Sequence, residues 1–190
     1  MDLKEYINYL STNLDKIDSE KVEQLSNIIL EAYKKEKMVF VIGNGGSAAN
    51  ASHFAQDLAK GTRVSNSQNK FIKALSLTDN LPFLSAVGND DGYENVFSEQ
   101  LKTFASQGDL VIAISGSGNS PNIIKAIEWA NANGLKTIGI TGYDGGKLAK
   151  INSFNLHSEL NDMCTVESIH SIIFHYLIID LKKKIEKELS

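Results

Sequence analysis

Cysteine is almost absent from this chain. Cys164 stands alone, which excludes an internal disulfide and a thiolate zinc cluster and suits a reducing cytosol; its thiol is expected to be buried or half-buried. Proline occurs only twice and no low-complexity tract is present, so neither a linker nor a disordered tail is expected. A strong charge of either sign is also missing: 19 basic residues oppose 23 acidic ones for a net charge of -4, too mild for an electrostatic footprint on nucleic acid or on an anionic membrane. Long hydrophobic runs are lacking too. The most apolar stretch, Ile172 to Leu181, carries His175 and Asp180 and is half the roughly 20 residues needed to cross a bilayer, so it reads as a buried helix. The start, Met-Asp-Leu-Lys-Glu-Tyr, has no basic and apolar regions of a signal peptide. A cytoplasmic protein without nucleic-acid or membrane partners is expected, and any anionic ligand must be held by local groups.

What is present points to one domain over residues 1–190. A chain of 190 residues with 42% hydrophobic content buries one substantial core. Residues 3–14 and 20–36 show apolar positions at helical spacing, with Asp18 or Ser19 able to cap the second segment. Met38 to Ile42 is a continuous apolar run ending in Gly43, the pattern of a strand covered on both faces of a parallel sheet. The alternation then recurs: a helix near 48–60, a strand at 73–77, helical stretches near 80–87 and 95–104, and a strand at 110–114. A helix at 119–133, strands at 136–140 and 154–156, and a long helix near 165–187 complete it. This order predicts an α/β fold, a doubly wound parallel sheet flanked by helices. Ligands of such sheets sit beyond the carboxyl ends of the strands.

Polar, glycine-rich segments are expected at those ends. Gly43-Asn44-Gly45-Gly46-Ser47 lies between a buried strand and a helix, where glycines let backbone N–H groups approach an anion and the helix terminus adds partial positive charge. Ser115-Gly116-Ser117-Gly118-Asn119-Ser120 has the same context plus three hydroxyls and is the better phosphate cradle. A third segment, residues 87–92 with Asn89 and Asp90, offers acceptors for sugar hydroxyls. One such cluster alone could be an ordinary tight turn. Gly43, Gly45 and Ala48 fit the dinucleotide pattern G-x-G-x-x-A, but the ribose-binding acid due about 20 residues later is missing, the first candidate being Asp79. Neither loop ends in Gly-Lys-Ser/Thr, so a P-loop is excluded and no nucleotide cofactor is expected.

Two helices carry the remaining chemistry. His53 and Asp57 are four apart and share a face; Glu167 and His175 are eight apart, about two turns, with Ser171 between them. These four are a candidate set for zinc or another divalent ion, one per subunit. Taken singly, His175 also fits a core histidine, and Asp57 and Glu167 fit solvated surface carboxylates. His170 is offset from that face and is expected to be a partner or core histidine.

The segments Gly-Asn-Gly-Gly-Ser at 43–47, His-Phe-Ala at 53–55, Val-Gly-Asn-Asp at 87–90, Ser-Gly-Ser-Gly-Asn-Ser at 115–120, Thr-Gly-Tyr-Asp-Gly-Gly-Lys at 141–147 and Glu-Ser-Ile-His at 167–170 with His175 resemble the phosphoheptose isomerases of the sugar isomerase (SIS) fold. The resemblance covers nearly the whole chain. It implies a flavodoxin-like architecture, a homotetramer, bound zinc, and conversion of sedoheptulose 7-phosphate to the aldose heptose phosphate used for lipopolysaccharide or capsule. By the same resemblance Ser115, Gly116, Ser117 and Ser120 hold phosphate. Asn44, Gly45, Gly46, Ser47, Asn89, Asp90 and Glu167 contact the sugar, Asp57 takes the base position and His175 the acid position. The chain departs from that family in having Asp57 for the usual Glu and Glu167 for the usual Gln. The alternatives are an isomerase of a different ketose phosphate, or a non-catalytic SIS protein that binds sugar phosphates or regulates a partner.

Overall fold

A computed structural model describes residues 1–65 and 70–189. Five parallel strands form one sheet in the order β2-β1-β3-β4-β5, with β1 at Met38–Gly43, β2 at Lys73–Ser76, β3 at Leu110–Ser115, β4 at Lys136–Thr141 and β5 at Phe154–His157. Parallel neighbours cannot be joined by a hairpin, so every connection crosses a face of the sheet. The helices are α1 (Leu3–Leu14), α2 (Ser19–Lys34), α3 (Gly46–Gln56), α4 (Leu81–Asp90), α5 (Ser98–Phe104), α6 (Pro121–Ala132), α7 (Leu148–Ile151) and α8 (Met163–Glu188). Asp2 caps α1 in a reciprocal box with Glu5, Asp18 caps α2, and Asp162 caps α8, each satisfying an otherwise unpaired helical N–H.

The central strands are apolar throughout because both faces are covered. On one face Val39, Val41, Ile112, Ile138 and Ile140 pack with Leu25 and Ile29 of α2, Ala51 and Phe54 of α3, and Ile169, Leu177 and Leu181 of α8. On the other, Phe40, Ile42, Val111 and Ala113 meet Val87 of α4, Leu101 of α5 and Ile123 and Ile127 of α6. The chain runs from β1 outward to β2 and then back across to β3, so direction reverses between two neighbouring strands. Gly43 of β1 pairs with Ile114 of β3, and both glycine-rich loops therefore leave the sheet side by side at this switch point, where open α/β sheets bind ligands.

Three expectations change. Cys164 is exposed: it lies in the first turn of α8, while the neighbouring Thr165 and Val166 take the inward positions. The apolar stretch 172–181 is buried on one side only, since Ile172, Tyr176 and Ile179 are exposed. α8 is long and apolar enough to cross a membrane by length and composition, yet Ile169, Leu177 and Leu181 on its inner side are fully buried against the sheet, which is how a core helix reads. The third polar segment is not at a strand end; α4 continues through Asp90, and Asn89 and Asp90 sit exposed in its last turn, joined by an Asn89 Nδ2 to Asp90 Oδ1 hydrogen bond of 2.7 Å.

Candidate active site

The loop after β1 turns into α3 at Gly45, whose φ of 55° an L side chain rarely adopts. No side chain caps α3 and its first turn holds no acid. Ala48 N–H returns to the Asn44 and Gly45 carbonyls, whereas among the described residues the amides of Gly46 and Ser47 make no backbone hydrogen bond, leaving two donors at a positive helix end. Asn44 is braced by a reciprocal amide pair with Asn122, 2.9 Å in each direction, and its Oδ1 also accepts from the Tyr93 hydroxyl at 3.2 Å. Asn122 is 2% exposed and its Oδ1 in addition accepts the Ile123 N–H.

The loop after β3 is held just as firmly. Gly118 N–H donates to the Ser115 carbonyl and hydroxyl, Leu148 N–H to the Gly118 carbonyl, and Lys147 N–H to Asn119 Oδ1. Gly118 has φ of 63°, and a Cβ there would run into the Gly145 carbonyl. Ser120 occupies the N-cap of α6 without spending its hydroxyl on the cap. A cleft of about 330 Å³ lies between the two loops, lined by Asn44 to Ser47, Ser115 to Ser117, Ser120, Met163 and Glu167. Glu167 is the only ionisable residue among them, and its carboxylate lies so close over Gly46 that any side chain there would collide with it. Asn89 and Asp90 are outside that lining.

The imidazoles gather one step along the seam between α3 and α8. His53 Nε2 is 3.2 Å and His175 Nε2 4.0 Å from Asp57 Oδ2, and the two rings meet edge to face at 5.0 Å. Behind them Phe54 and Phe174, each next in sequence to a histidine, stack at 4.3 Å; this pair sets the register of α3 against α8 and so the approach of the histidines. At Asp57 the helix loosens into a π-helical turn, Asp57–Gly61, a local widening that recurs at functional sites. One ligand atom each from His53, Asp57 and His175 lies within 4.8 Å of the others, and a two-histidine, one-carboxylate donor set fits zinc or a similar divalent ion. Glu167 is not in this trio. It faces the serine cleft instead, so the four helical groups divide between two adjoining places. Asn50, which lines the imidazole recess, donates to the Glu167 carbonyl at 3.1 Å and links them. The recess is too tightly packed to take in a whole sugar, so a sugar could meet it only end-on at the rim, where both histidine side chains are about half exposed.

His170 is 1% exposed, a core histidine. Burial pushes its pKa down to about 4; the Thr141 carbonyl partly opposes this, and nearby His157 adds to it.

Residues the sequence reading did not single out are Asn122, Asn50 and Met163. Asn122 alone carried a signal, a polar side chain on the apolar face of an otherwise amphipathic helix.

The SIS domain family matches residues 4–142. A phosphoheptose isomerase of Aliarcobacter butzleri is 39% identical over 190 residues, covering 99% of this chain and 97% of that protein. The chain belongs to the phosphoheptose isomerase family of SIS domain proteins. The solved phosphoheptose isomerase of Neisseria gonorrhoeae superposes with a TM-score of 0.85 at 28% identity, covering 96% of this chain and all (100%) of that one. The Francisella tularensis phosphoheptose isomerase, 24% identical with a TM-score of 0.85 over 96% of this chain and 100% of its own, shares the fold.

Proposed function

We propose that this protein is a ketose–aldose isomerase that converts sedoheptulose 7-phosphate into D-glycero-D-manno-heptose 7-phosphate through an enediol, a step toward bacterial heptose. The observation that carries this reading is the succession along one α3–α8 seam of an anion cleft with hydroxyl protons and amides still free to donate, then a carboxylate between two imidazoles. Phosphate would bind Ser115, Ser117, Ser120 and the amides of Gly46 and Ser47, and this remote grip positions the reactive end of the sugar. Glu167 and His175 are eight residues apart on α8, about 12 Å along the helix axis, a span that suits an extended sugar chain rather than a triose.

Asp57 is the proposed base. Its Oδ2 faces both imidazoles and Oδ1 is its other oxygen. It takes a proton from C1 of the ketose; the electrons move into the C1–C2 bond, and the carbonyl oxygen on C2 becomes the enediol hydroxyl on receiving a proton from His175. Returning a proton to C2 while the C1 hydroxyl loses its own gives the aldose. His53, Asp57 and His175 would hold a divalent ion, which when bound supplies charge stabilisation for the developing oxyanion. Asn89 and Asp90, at the exposed end of α4, would contact the distal hydroxyls once substrate is seated. Glu167 adds a sugar contact and a negative charge beside the phosphate.

Assembly into four copies and a cytoplasmic location belong to the same reading. The exposed apolar residues Leu3 and Ile7 of α1 and Ile172, Tyr176 and Ile179 of α8 support the first, since such residues favour being covered by another copy. The experiment is product analysis of sedoheptulose 7-phosphate incubated with wild-type protein and with Asp57→Asn. Aldose heptose phosphate from the wild type and a loss of at least about a hundredfold in the variant are expected; undiminished turnover by Asp57→Asn would remove that base.

A further inference from the structure

A second cleft, about 430 Å³, lies between the turn joining α1 to α2 and the segment that follows β5. It shares no lining residue with the serine cleft. Its floor contains an unmet polar group: Ser158 is 2% exposed, lines the cleft, and its hydroxyl has no hydrogen-bond partner. The backbone there is pinned, with Ser158 N–H donating to the Thr141 carbonyl at 2.9 Å. Buried hydroxyls are normally satisfied, and one that faces a cleft without a protein partner is open to a water or to a ligand group.

The walls supply charge. Lys16 and Lys21 both line the cleft, and among the described residues no ion pair uses either. The Lys16 ammonium donates to Asn13 Oδ1 at 3.1 Å, a neutral acceptor. Two carboxylates line the cleft as well. Asp18 already accepts the Lys21 N–H as the α2 cap, whereas Glu159 makes no ion pair among the described residues. His157, also in the lining, has Nδ1 engaged with the Thr141 hydroxyl at 2.9 Å, leaving Nε2 as its remaining polar atom.

Two ammoniums that make no ion pair suit an anion that a neutral sugar lacks, while a carboxylate, a buried hydroxyl and an imidazole suit hydroxyl groups that bare phosphate lacks. The volume lies within the range of small-molecule sites. We propose that this cleft is a second binding site, for a small phosphorylated polyol, with Lys16 and Lys21 on the phosphate and Ser158, His157 and Glu159 on the hydroxyls. The segment it would hold leads directly into α8: Tyr143 N–H donates to the Leu160 carbonyl at 2.9 Å, and Asp162 caps the helix. An occupied cleft therefore steadies the start of the helix that carries Glu167 and His175.

Titration calorimetry of the full chain with ribitol 5-phosphate, which has no carbonyl to isomerise, tests this without any turnover and so stands apart from the isomerase reading. Two sites per chain are expected. Lys16→Ala with Lys21→Ala should abolish one and leave the other, and Ser117→Ala with Ser120→Ala should weaken the survivor instead. Ser158→Ala should weaken the second site about tenfold, the usual size of one lost buried hydrogen bond, while the Tm of the ligand-free protein stays level or rises because an unmatched hydroxyl has gone. A single site unaffected by the lysine changes would overturn the proposal. So would a ligand-free Tm that falls in Ser158→Ala with affinity unchanged, which is a packing role. Inorganic phosphate binding there as tightly as ribitol 5-phosphate, or unphosphorylated ribitol doing so, would overturn the assigned ligand class.

Discussion

Replacing Glu167 by Gln removes one negative charge from the serine cleft and almost nothing else, because the two side chains have nearly the same shape. The carboxylate lies over Gly46 in the same cleft of about 330 Å³ as Ser115, Ser117 and Ser120; about 7 Å, the edge of a cube of that volume, sets the scale for its separation from a phosphate on those serines. At this separation unit charges repel by about 2.4 kcal/mol for an effective dielectric of 20 and about 0.6 kcal/mol for bulk water. Glu167 is partly exposed, which favours the lower half of that range, and a phosphate near neutral pH carries about 1.5 to 2 charges. Together these give about 1–3 kcal/mol, or roughly five- to a hundredfold tighter binding in Glu167→Gln. Competitive inhibition of turnover by ribitol 5-phosphate, measured in the Lys16→Ala, Lys21→Ala background, reads this at the reacting site. The gain should shrink as salt is raised through the screening range, and inhibition by unphosphorylated ribitol should not change. Equal inhibition constants for wild type and Glu167→Gln at low salt would refute the placement of phosphate beside this carboxylate.

Other outcomes follow from the same geometry. Phe174→Ala should destabilise the protein by about 3–5 kcal/mol, as large-to-small changes at buried aromatics do, and should lower kcat further by releasing His175; denaturant unfolding and kinetics read the two effects separately. Gly118→Ala forces a Cβ onto the Gly145 carbonyl at positive φ, and a lower Tm with a raised KM for phosphorylated substrate is expected. Loaded with zinc and then dialysed, His53→Ala should retain less of the metal than wild type by elemental analysis, because two candidate ligands remain of three. His170 is neutral in the fold with a pKa of about 4 and near 6.5 once unfolded, so the unfolded chain binds the extra proton between those values. Stability is then fully present above pH 6.5 and falls by about 3 kcal/mol toward pH 4; His170→Gln should flatten that acid limb in urea titrations.

Much of the architecture is legible without coordinates because period and punctuation agree. Val39 to Ile42 is buried on both faces and reads as an unbroken apolar run, and Asp18 caps α2 where its spacing begins. The two loops at Gly43 and Ser115 announce themselves by glycine and serine at the ends of such runs. What escapes the sequence is long-range. Asn44 and Asn122 are 78 positions apart, and nothing local in either says that each amide completes the other. That α4 continues through Asp90 was hidden by Gly88-Asn89-Asp90, residues that usually end helices. The exposure of Cys164 and the outward side of α8 depend on how far the helix turns past its cap. Glu167 shares a face with His175 by count, yet two helical turns separate them, enough to put one in the serine cleft and the other beside Asp57.

The most direct test is to equilibrate the protein with sedoheptulose 7-phosphate in deuterium oxide and follow the sugar by NMR. Removal of a proton from C1 and its return at C2 predicts an aldose heptose 7-phosphate carrying solvent deuterium at C2 after many turnovers. Saturable binding of the ketose phosphate with no aldose formed, or aldose that never acquires deuterium, would contradict it.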